Sequence, residues 1–486
     1  MLDLILNHEI AEKNARRCRA QGILLPTFEQ MRNPEKIPEK IRAGLKDVGL
    51  WDVHPGNLFR ITWANEPVAH GGGYTGVNYI VLPPELTGCR ATIVALVGKW
   101  FPTGAHKVGA TYGCLAPRLI TGQFDPDIQK AVWPSTGNYC RGGAYVAALL
   151  GCRSIAILPE EMSRERFEWL KRVAGEVIAT PGCESNVKEI FDKCWDLRNH
   201  RDDIMIFNQF EEFGNPIWHY HVTGYAMEQV LADQMGPDDR LFGAVFSSGS
   251  AGTLGAGYYL KDTFGQHIKV AAAEALQCPT LLSNGFGGHR IEGIGDKHIP
   301  WIHDAKNTDM IIAVDDETTM RMLRFFNEKR GRKLLAAQGV PDDLISNLDL
   351  MGISSIGNLV ASIKFAKYYE LTERDYVVTV FTDSLELYGS RLRELTEEKG
   401  RYSDYDAHRD AERVQSINIE QMQELNYYDR LRIHNLKYFT WIEQQGRALE
   451  ELNAQWYDHE NYWSEIAAAA ERIDGLINEF NDRIVS

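Results

Sequence analysis

From about residue 61 to residue 392 the chain alternates short β-branched runs with longer segments of helical periodicity. That alternation restricts the fold more than any other feature. The runs are Ala91–Val97, Ser154–Leu158, Glu176–Ala179, Gly243–Ser247, Lys269–Ala273, Met310–Val314 and Tyr376–Phe381. Helical stretches lie between them at Arg141–Leu150, Ser163–Val173, Asn186–Asn199 and Tyr220–Met235. Strands that alternate with helices bury both their faces as mostly parallel sheets covered by helices, so the expected class is α/β. Ligands of such folds gather at the carboxyl ends of strands, on loops that open helices. Those loops are where chemistry is to be sought.

The flanks differ from this core. Residues 1–60 read as a polar, partly helical N-terminal extension interrupted by Pro26, Pro34, Pro38 and Pro55, with Trp51 and Leu58 available to pack on the core. Residues 393–486 lose glycine and repeat Leu425, Leu431, Leu436, Leu449, Leu452, Ile466 and Ile473 at roughly helical spacing. This predicts a helical C-terminal extension of two or three long helices, packed on the body or on a partner subunit. A net charge of −15 argues against nucleic acid and anionic membrane surfaces as partners. No apolar run approaches the roughly 18 residues of a membrane span, and the opening residues, with Asp3, Glu9 and Glu12, do not read as a secretory signal. The expectation is a soluble, cytoplasmic protein. Eight cysteines without a C-x-x-C pair read as reduced thiols, and no metal site is expected. Gly71–Gly73 has no Lys-Ser/Thr after it and reads as a turn rather than a phosphate loop.

Four loops carry residues suited to chemistry. The first, Phe101-Pro-Thr-Gly-Ala-His-Lys107, puts one lysine on a strand-to-helix corner. A lysine on a turn is ordinarily a surface residue, but a desolvated amine is also a route to Schiff-base chemistry. The second, Pro134-Ser-Thr-Gly-Asn-Tyr139, follows the apolar residues Ala131–Trp133 and opens a small-residue helix. Its hydroxyls and N–H groups either cap that helix or hold an anion such as a substrate carboxylate. In the third, Ser247-Ser-Gly-Ser-Ala-Gly-Thr253, small residues let backbone N–H groups close around a phosphate. The fourth, Phe381-Thr-Asp-Ser384, ends the last β-run. Ser384 there is either a helix cap or a partner for a heteroaromatic nitrogen. A lysine, an anion site, a phosphate cradle and a ring-nitrogen partner are together what pyridoxal phosphate requires.

In these loops the chain resembles the fold-type II pyridoxal-phosphate enzymes, the superfamily of cysteine synthase, cystathionine β-synthase and tryptophan synthase β. Ser135-Thr-Gly-Asn138 matches that family's substrate loop and Gly249-Ser-Ala-Gly-Thr253 its phosphate loop. Glu292-Gly-Ile-Gly295, Gly352-Ile-Ser-Ser355 and Thr382-Asp-Ser384 match three further segments in the same order. The resemblance covers roughly residues 61–392. It implies two open twisted, mostly parallel sheets flanked by helices, with a smaller mobile subdomain at about 108–225. It also implies roles. Lys107 resembles the Schiff-base lysine. Asn138 resembles the residue that meets the cofactor's 3-hydroxyl. Ser135, Thr136 and Gly137, with Asn138, resemble the clamp on the substrate. Gly249, Ser250, Ala251, Gly252 and Thr253 resemble the phosphate cradle, and Ser384 the pyridine-nitrogen partner.

The match has departures. Lys107-Val-Gly replaces the Lys-Asp-Arg of cysteine synthases, and Thr103-Gly-Ala-His-Lys107 is instead like tryptophan synthase β. That enzyme's acidic residue for indole has no counterpart beside Asn138. Ala251 stands where the family commonly has glycine. The expected activity is β-elimination or β-replacement on serine, an activated serine or cysteine, through an aminoacrylate intermediate. A thiol or sulfide is the expected nucleophile, and a homodimer or higher homo-oligomer the expected assembly. A threonine dehydratase or threonine synthase reaction on the same fold stays open, as does a non-catalytic binding protein that retains the fold.

Overall fold

The computed structural model describes residues 3–135, 137–183, 186–295 and 297–485. The central sheet has seven strands. In chain order they are β1 (Tyr79–Leu82), β2 (Thr92–Val97), β7 (Arg240–Ser247), β8 (Lys269–Ala275), β9 (Met310–Val314), β10 (Asp375–Phe381) and β11 (Met422–Glu424). A second sheet holds β3 (Lys130–Pro134), β4 (Ser154–Pro159), β5 (Glu176–Thr180) and β6 (Ile204–Ile206). The smaller sheet runs β5-β4-β3-β6 and is parallel throughout. The larger runs β1-β2-β10-β7-β8-β9-β11, parallel except for its two outer strands. Each β-branched run of the sequence is a strand. Of the inner strands of the larger sheet, β9 and β10 are buried at every residue, as strands covered on both faces must be.

The order of the larger sheet positions the loops. β10 lies between β2 and β7. Phe381, the last residue of β10, is level with Val97, the last of β2. The lysine loop, Ser384 and the glycine-rich loop therefore leave the same edge of the sheet side by side. Helix α1 (His8–Gln21) belongs to the N-terminal extension, and helix α2 (Lys107–Ile120) follows the lysine loop. Helices α3 (Asn138–Leu149) and α4 (Arg164–Val173) follow β3 and β4, and α5 (Leu254–Phe264) follows the glycine-rich loop. Helix α6 (Ile353–Tyr368) begins at the Gly352-Ile-Ser-Ser segment. The stretch expected as one helix over Tyr220–Met235 starts earlier, at Gly214, and passes through a π-helical turn, His219–Gly224, before Tyr225–Gln234.

The C-terminal extension departs from expectation. Among the described residues it contains five α-helices, including α7 (Gly389–Lys399) and α8 (His459–Val485), and also β11, which pairs antiparallel with β9. A three-residue strand, Met-Gln-Glu, has no periodicity to read, yet it covers an edge that would otherwise expose unpaired backbone groups. Helix α8 presents Tyr462, Ile466, Ala470, Ile473, Ile477, Phe480 and Ile484 as a buried stripe. It packs on α1 and α2. Its Asp474 accepts the backbone N–H groups of Phe28 and Glu29, and Asn481 exchanges hydrogen bonds with Leu25. The two extensions thus close over the core together, with Leu58 fully buried and Trp51 half-buried beside Trp169.

Truncation after residue 395 removes that stripe and uncovers the edge of β9. Burying one large apolar side chain contributes about 1.5–3 kcal/mol, against a whole stability of about 5–15 kcal/mol. The truncated protein should aggregate or lose cooperative thermal unfolding. A soluble product with an unchanged unfolding midpoint would contradict this packing.

Candidate functional site

β2 ends at Val97, and two tight turns, Gly98–Trp100 and Pro102–Gly104, carry the chain to Lys107 at the start of α2. The approach to β10 is very close, since a Cβ at Gly98 would sit 2.3 Å from the Thr382 carbonyl oxygen. Thr103 has φ 68° and is buried, and its Oγ1 has no partner. A β-branched residue in the left-handed region is strained, and such strain persists only where the surroundings hold it. His106 is fully buried and tied to the neighbouring strand end. Its N–H donates to the Thr382 carbonyl at 3.3 Å, and its Nε2 lies 3.2 Å from Thr382 Oγ1. Its ring packs edge-on against His219 at 4.9 Å, and burial holds both imidazoles well below their usual pKa, hence neutral. Burial also pushes the Lys107 amine down to about 8.

Lys107 Nζ donates to Ser250 Oγ at 3.4 Å, so the lysine and glycine-rich loops meet. Asn215 Nδ2 donates to the same oxygen at 3.1 Å. A side chain at Gly252 would collide with Asn215, its Cβ falling 2.1 Å from Oδ1. Ala251 takes φ 66° and is buried, so it carries a backbone conformation that glycine adopts without strain. The N–H groups of residues 249–253 donate to no protein acceptor among the described residues. They lie between the end of β7 and the first turn of α5, where backbone donors and the helix dipole favour an anion.

Ser384 is fully buried and its Oγ has no hydrogen-bond partner. It precedes the short turn Leu385–Leu387 but makes no capping bond to it, so capping does not explain the hydroxyl. Ser135 likewise is not the cap of α3. That position is taken by Gly137, at φ 156°, whose N–H donates to Ser135 Oγ at 3.2 Å. Gln209 Nε2 donates to the same oxygen at 3.3 Å. Thr136 lies outside the described residues.

Asn138 is brought to the Ser384 loop by Asp383, a residue to which its local sequence assigned no role. Asn138 Nδ2 donates to Asp383 Oδ2 at 2.6 Å, across 245 positions of chain. Tyr388 donates to the same oxygen at 2.7 Å, and Arg166 Nη2 donates to the Tyr388 hydroxyl at 2.9 Å. Burial raises the Asp383 pKa, against the opposing pull of Arg166 and of these hydrogen bonds. Arg166 Nη1 is 3.0 Å from Glu292 Oε2 and covers Gly137, where a Cβ would lie 2.1 Å from it. Arg141 is buried over Trp51 and Trp169, with its guanidinium carbon 5.3 and 5.1 Å from the ring centroids. It donates to the Thr103 carbonyl at 3.1 Å, joining the lysine loop to α3.

The structure therefore brings Lys107, Ser135, Gly137, Asn138, the 249–253 loop and Ser384 to one region. Asp383 and Glu292 stood in recognised motifs without a role. Arg166 and Tyr388 carried no local signal, because their partners are remote in sequence. The donor set fits pyridoxal phosphate: a desolvated amine for an aldehyde, unsatisfied N–H groups for a phosphate, and an unpartnered buried hydroxyl for a ring nitrogen.

Residues 99–336 match the family model of pyridoxal-phosphate dependent enzymes. Cystathionine β-synthase of Saccharomyces cerevisiae is 27% identical over 63% of this chain, which spans 58% of the yeast protein. Cysteine synthase of Staphylococcus aureus is 31% identical over 59% of this chain and 84% of its own length. Among solved structures, the O-acetylserine dependent cystathionine β-synthase of Helicobacter pylori superposes with a TM-score of 0.54 at 26% identity, covering 64% of this chain and 94% of that one. A hydrogen sulfide-producing enzyme of Fusobacterium nucleatum shares the fold with a TM-score of 0.55 at 22% identity, covering 64% and 95%. Loops, sheet order and relatives agree, and the chain belongs to the fold-type II pyridoxal-phosphate-dependent enzymes, in the superfamily of cysteine synthase and cystathionine β-synthase.

Proposed function

We propose that this enzyme catalyses β-elimination or β-replacement on a small amino acid of the serine, activated-serine or cysteine type, with a thiol or sulfide as the nucleophile in replacement. The observation that carries the reading is the meeting of Lys107 Nζ with Ser250 Oγ at the mouth of a loop of unsatisfied N–H groups. The H. pylori relative is described as O-acetylserine dependent, which supports the serine-type substrate. When bound, pyridoxal phosphate supplies an aldehyde that condenses with amines and a ring that withdraws electrons from bonds at Cα.

The chain's own residues supply the rest. Lys107 would anchor the cofactor, and residues 249–253 would hold its phosphate. Asn138 would meet its 3-hydroxyl. Ser135, Thr136 and Gly137 would hold the substrate carboxylate. Lys107 Nζ, with its affinity for protons lowered by burial, would take the proton from the substrate Cα at mildly basic pH. Ser384 presents a neutral hydroxyl, which cannot keep a proton on a ring nitrogen as a carboxylate would. This favours elimination and replacement over transamination. Asp383 keeps Asn138 in place and does not touch the ring-nitrogen position in this reading. The smaller sheet with its helices, about residues 108–225, would be the mobile part. We infer further a cytoplasmic homodimer or higher homo-oligomer. The exposed aromatic side chains of the C-terminal extension, Tyr428, Phe439 and Tyr457, support that assembly.

Two outcomes test this. Lys107→Ala should lose covalent cofactor and lower turnover of O-acetyl-L-serine or L-cysteine by roughly a thousandfold or more. Retention of the visible absorption of a lysine-bound cofactor in that variant would remove Lys107 from the role. The rate at which cofactor-free protein captures pyridoxal phosphate should rise with pH, because the neutral amine is the reactive form. It should level off above about 8, the value to which burial lowers Lys107, whereas an exposed lysine would titrate near ~10.4. A profile still climbing steeply above pH 9 would show that the amine is not desolvated.

A further inference from the structure

We propose that the segment following Ser384, from Tyr388 to Arg391, is the positioning device of the substrate loop, and that Arg391 and Tyr388 set the geometry of Gly137 and Asn138 without touching substrate. This rests on the reading of that loop as the substrate site.

The side chains form a relay across the seam between the two sheets. On the side of the smaller sheet stand Asn138 at the start of α3 and Arg166 in the first turn of α4. On the side of the larger sheet stand Asp383, Tyr388, Glu292 and Arg391. One branch runs from Tyr388 through Asp383 Oδ2 to Asn138, by hydrogen bonds of 2.7 and 2.6 Å. The other runs from Arg391 Nε to Glu292 Oε1 at 2.5 Å, then from Glu292 Oε2 to Arg166 Nη1 at 3.0 Å. Tyr388 also joins the branches, since its hydroxyl accepts from Arg166.

Both branches end on the loop. Arg166 lies over Gly137 so closely that no side chain fits there. Arg391 also reaches across the seam directly, donating from Nη2 to the Glu161 carbonyl at 2.5 Å, just before α4. A second clasp lies beside it. Ser390 donates from its N–H and Oγ to Glu165 at 2.8 and 2.7 Å. Asp383, Glu292, Arg166 and Tyr388 are all buried. Hydrogen bonds between charged groups in such surroundings are stronger and more directional than at a surface.

Arg391 is the accessible end of this relay, its side chain a quarter exposed on a surface helix, so it can be replaced without opening the core. Removing it frees Glu292 from one of two guanidinium groups and cuts the bridge to Glu161. Glu292 is then held by Arg166 alone, so the carboxylate that fixes Arg166 over Gly137 is itself less firmly placed.

The test is amide hydrogen exchange of the cofactor-loaded protein without substrate, comparing wild type with Arg391→Ala, Arg391→Lys and Tyr388→Phe. Exchange in a peptide spanning 133–141 should quicken about tenfold in Arg391→Ala, the effect of one charge-assisted hydrogen bond. Strands β7 and β8 should be unchanged, and Arg391→Lys should restore part of the protection. With O-acetyl-L-serine as the probe, apparent KM should rise about tenfold while kcat changes by less than about twofold. Exchange at 133–141 equal to wild type in both Arg391→Ala and Tyr388→Phe would overturn the proposal. If Arg391→Ala fails to fold, Tyr388→Phe and Arg391→Lys decide on the same readout. Exchange reports the loop whatever amino acid is turned over, so failure of the substrate assignment and failure of the relay are separable.

Discussion

The site depends first on how tightly two neighbouring strand ends approach each other. β2 and β10 are parallel and end level, at Val97 and Phe381. The next residues pack backbone on backbone, Gly98 against the Thr382 carbonyl, with no room for a Cβ. His106 then fastens the lysine loop to Thr382 by main chain and side chain together. Because β7 lies on the other side of β10, this one contact brings an amine, a buried hydroxyl and an anion cradle to the same edge. The strained Thr103 sits in the lysine loop and the strained Ala251 in the glycine-rich loop that meets it. Backbone strain of this kind is kept where surrounding structure over-determines it, and binding sites are where it gathers.

Much of this was legible in sequence because the determinants are local. Strand β9, buried at every residue, reads as a continuous apolar run, and β10 as a β-branched and aromatic one. The loops after β2, β3, β7 and β10 announced themselves through small and hydroxyl-bearing residues at strand ends. Ser384 and Ser135 were ambiguous between cap and ligand partner. Only the structure separates the two, by showing that neither hydroxyl caps a helix. Whatever depends on remote pairing was not legible. Asp383 acquires its role from Asn138, 245 residues away, and Arg166 from Tyr388, 222 residues away. β11 is only Met-Gln-Glu and has no pattern, yet it finishes a sheet whose nearest strand in sequence is β10.

The extensions have a physical reason as well. Helix α8 lays an apolar stripe on α1 and α2, and α2 begins at Lys107. Trp51, from the N-terminal extension, packs beneath Gly104 and shares the Arg141 guanidinium with Trp169. Parts of the chain outside the shared fold thus brace the lysine loop from behind. Gly137 and Asn138 are held differently, through charged groups that cross between the sheets.

Lys107 is the amine at which these elements converge. Reduction of the pyridoxal-phosphate-loaded protein with borohydride, followed by peptide mapping, tests this most directly. The pyridoxyl group is expected on Lys107 alone, and a label on any other lysine would contradict the convergence.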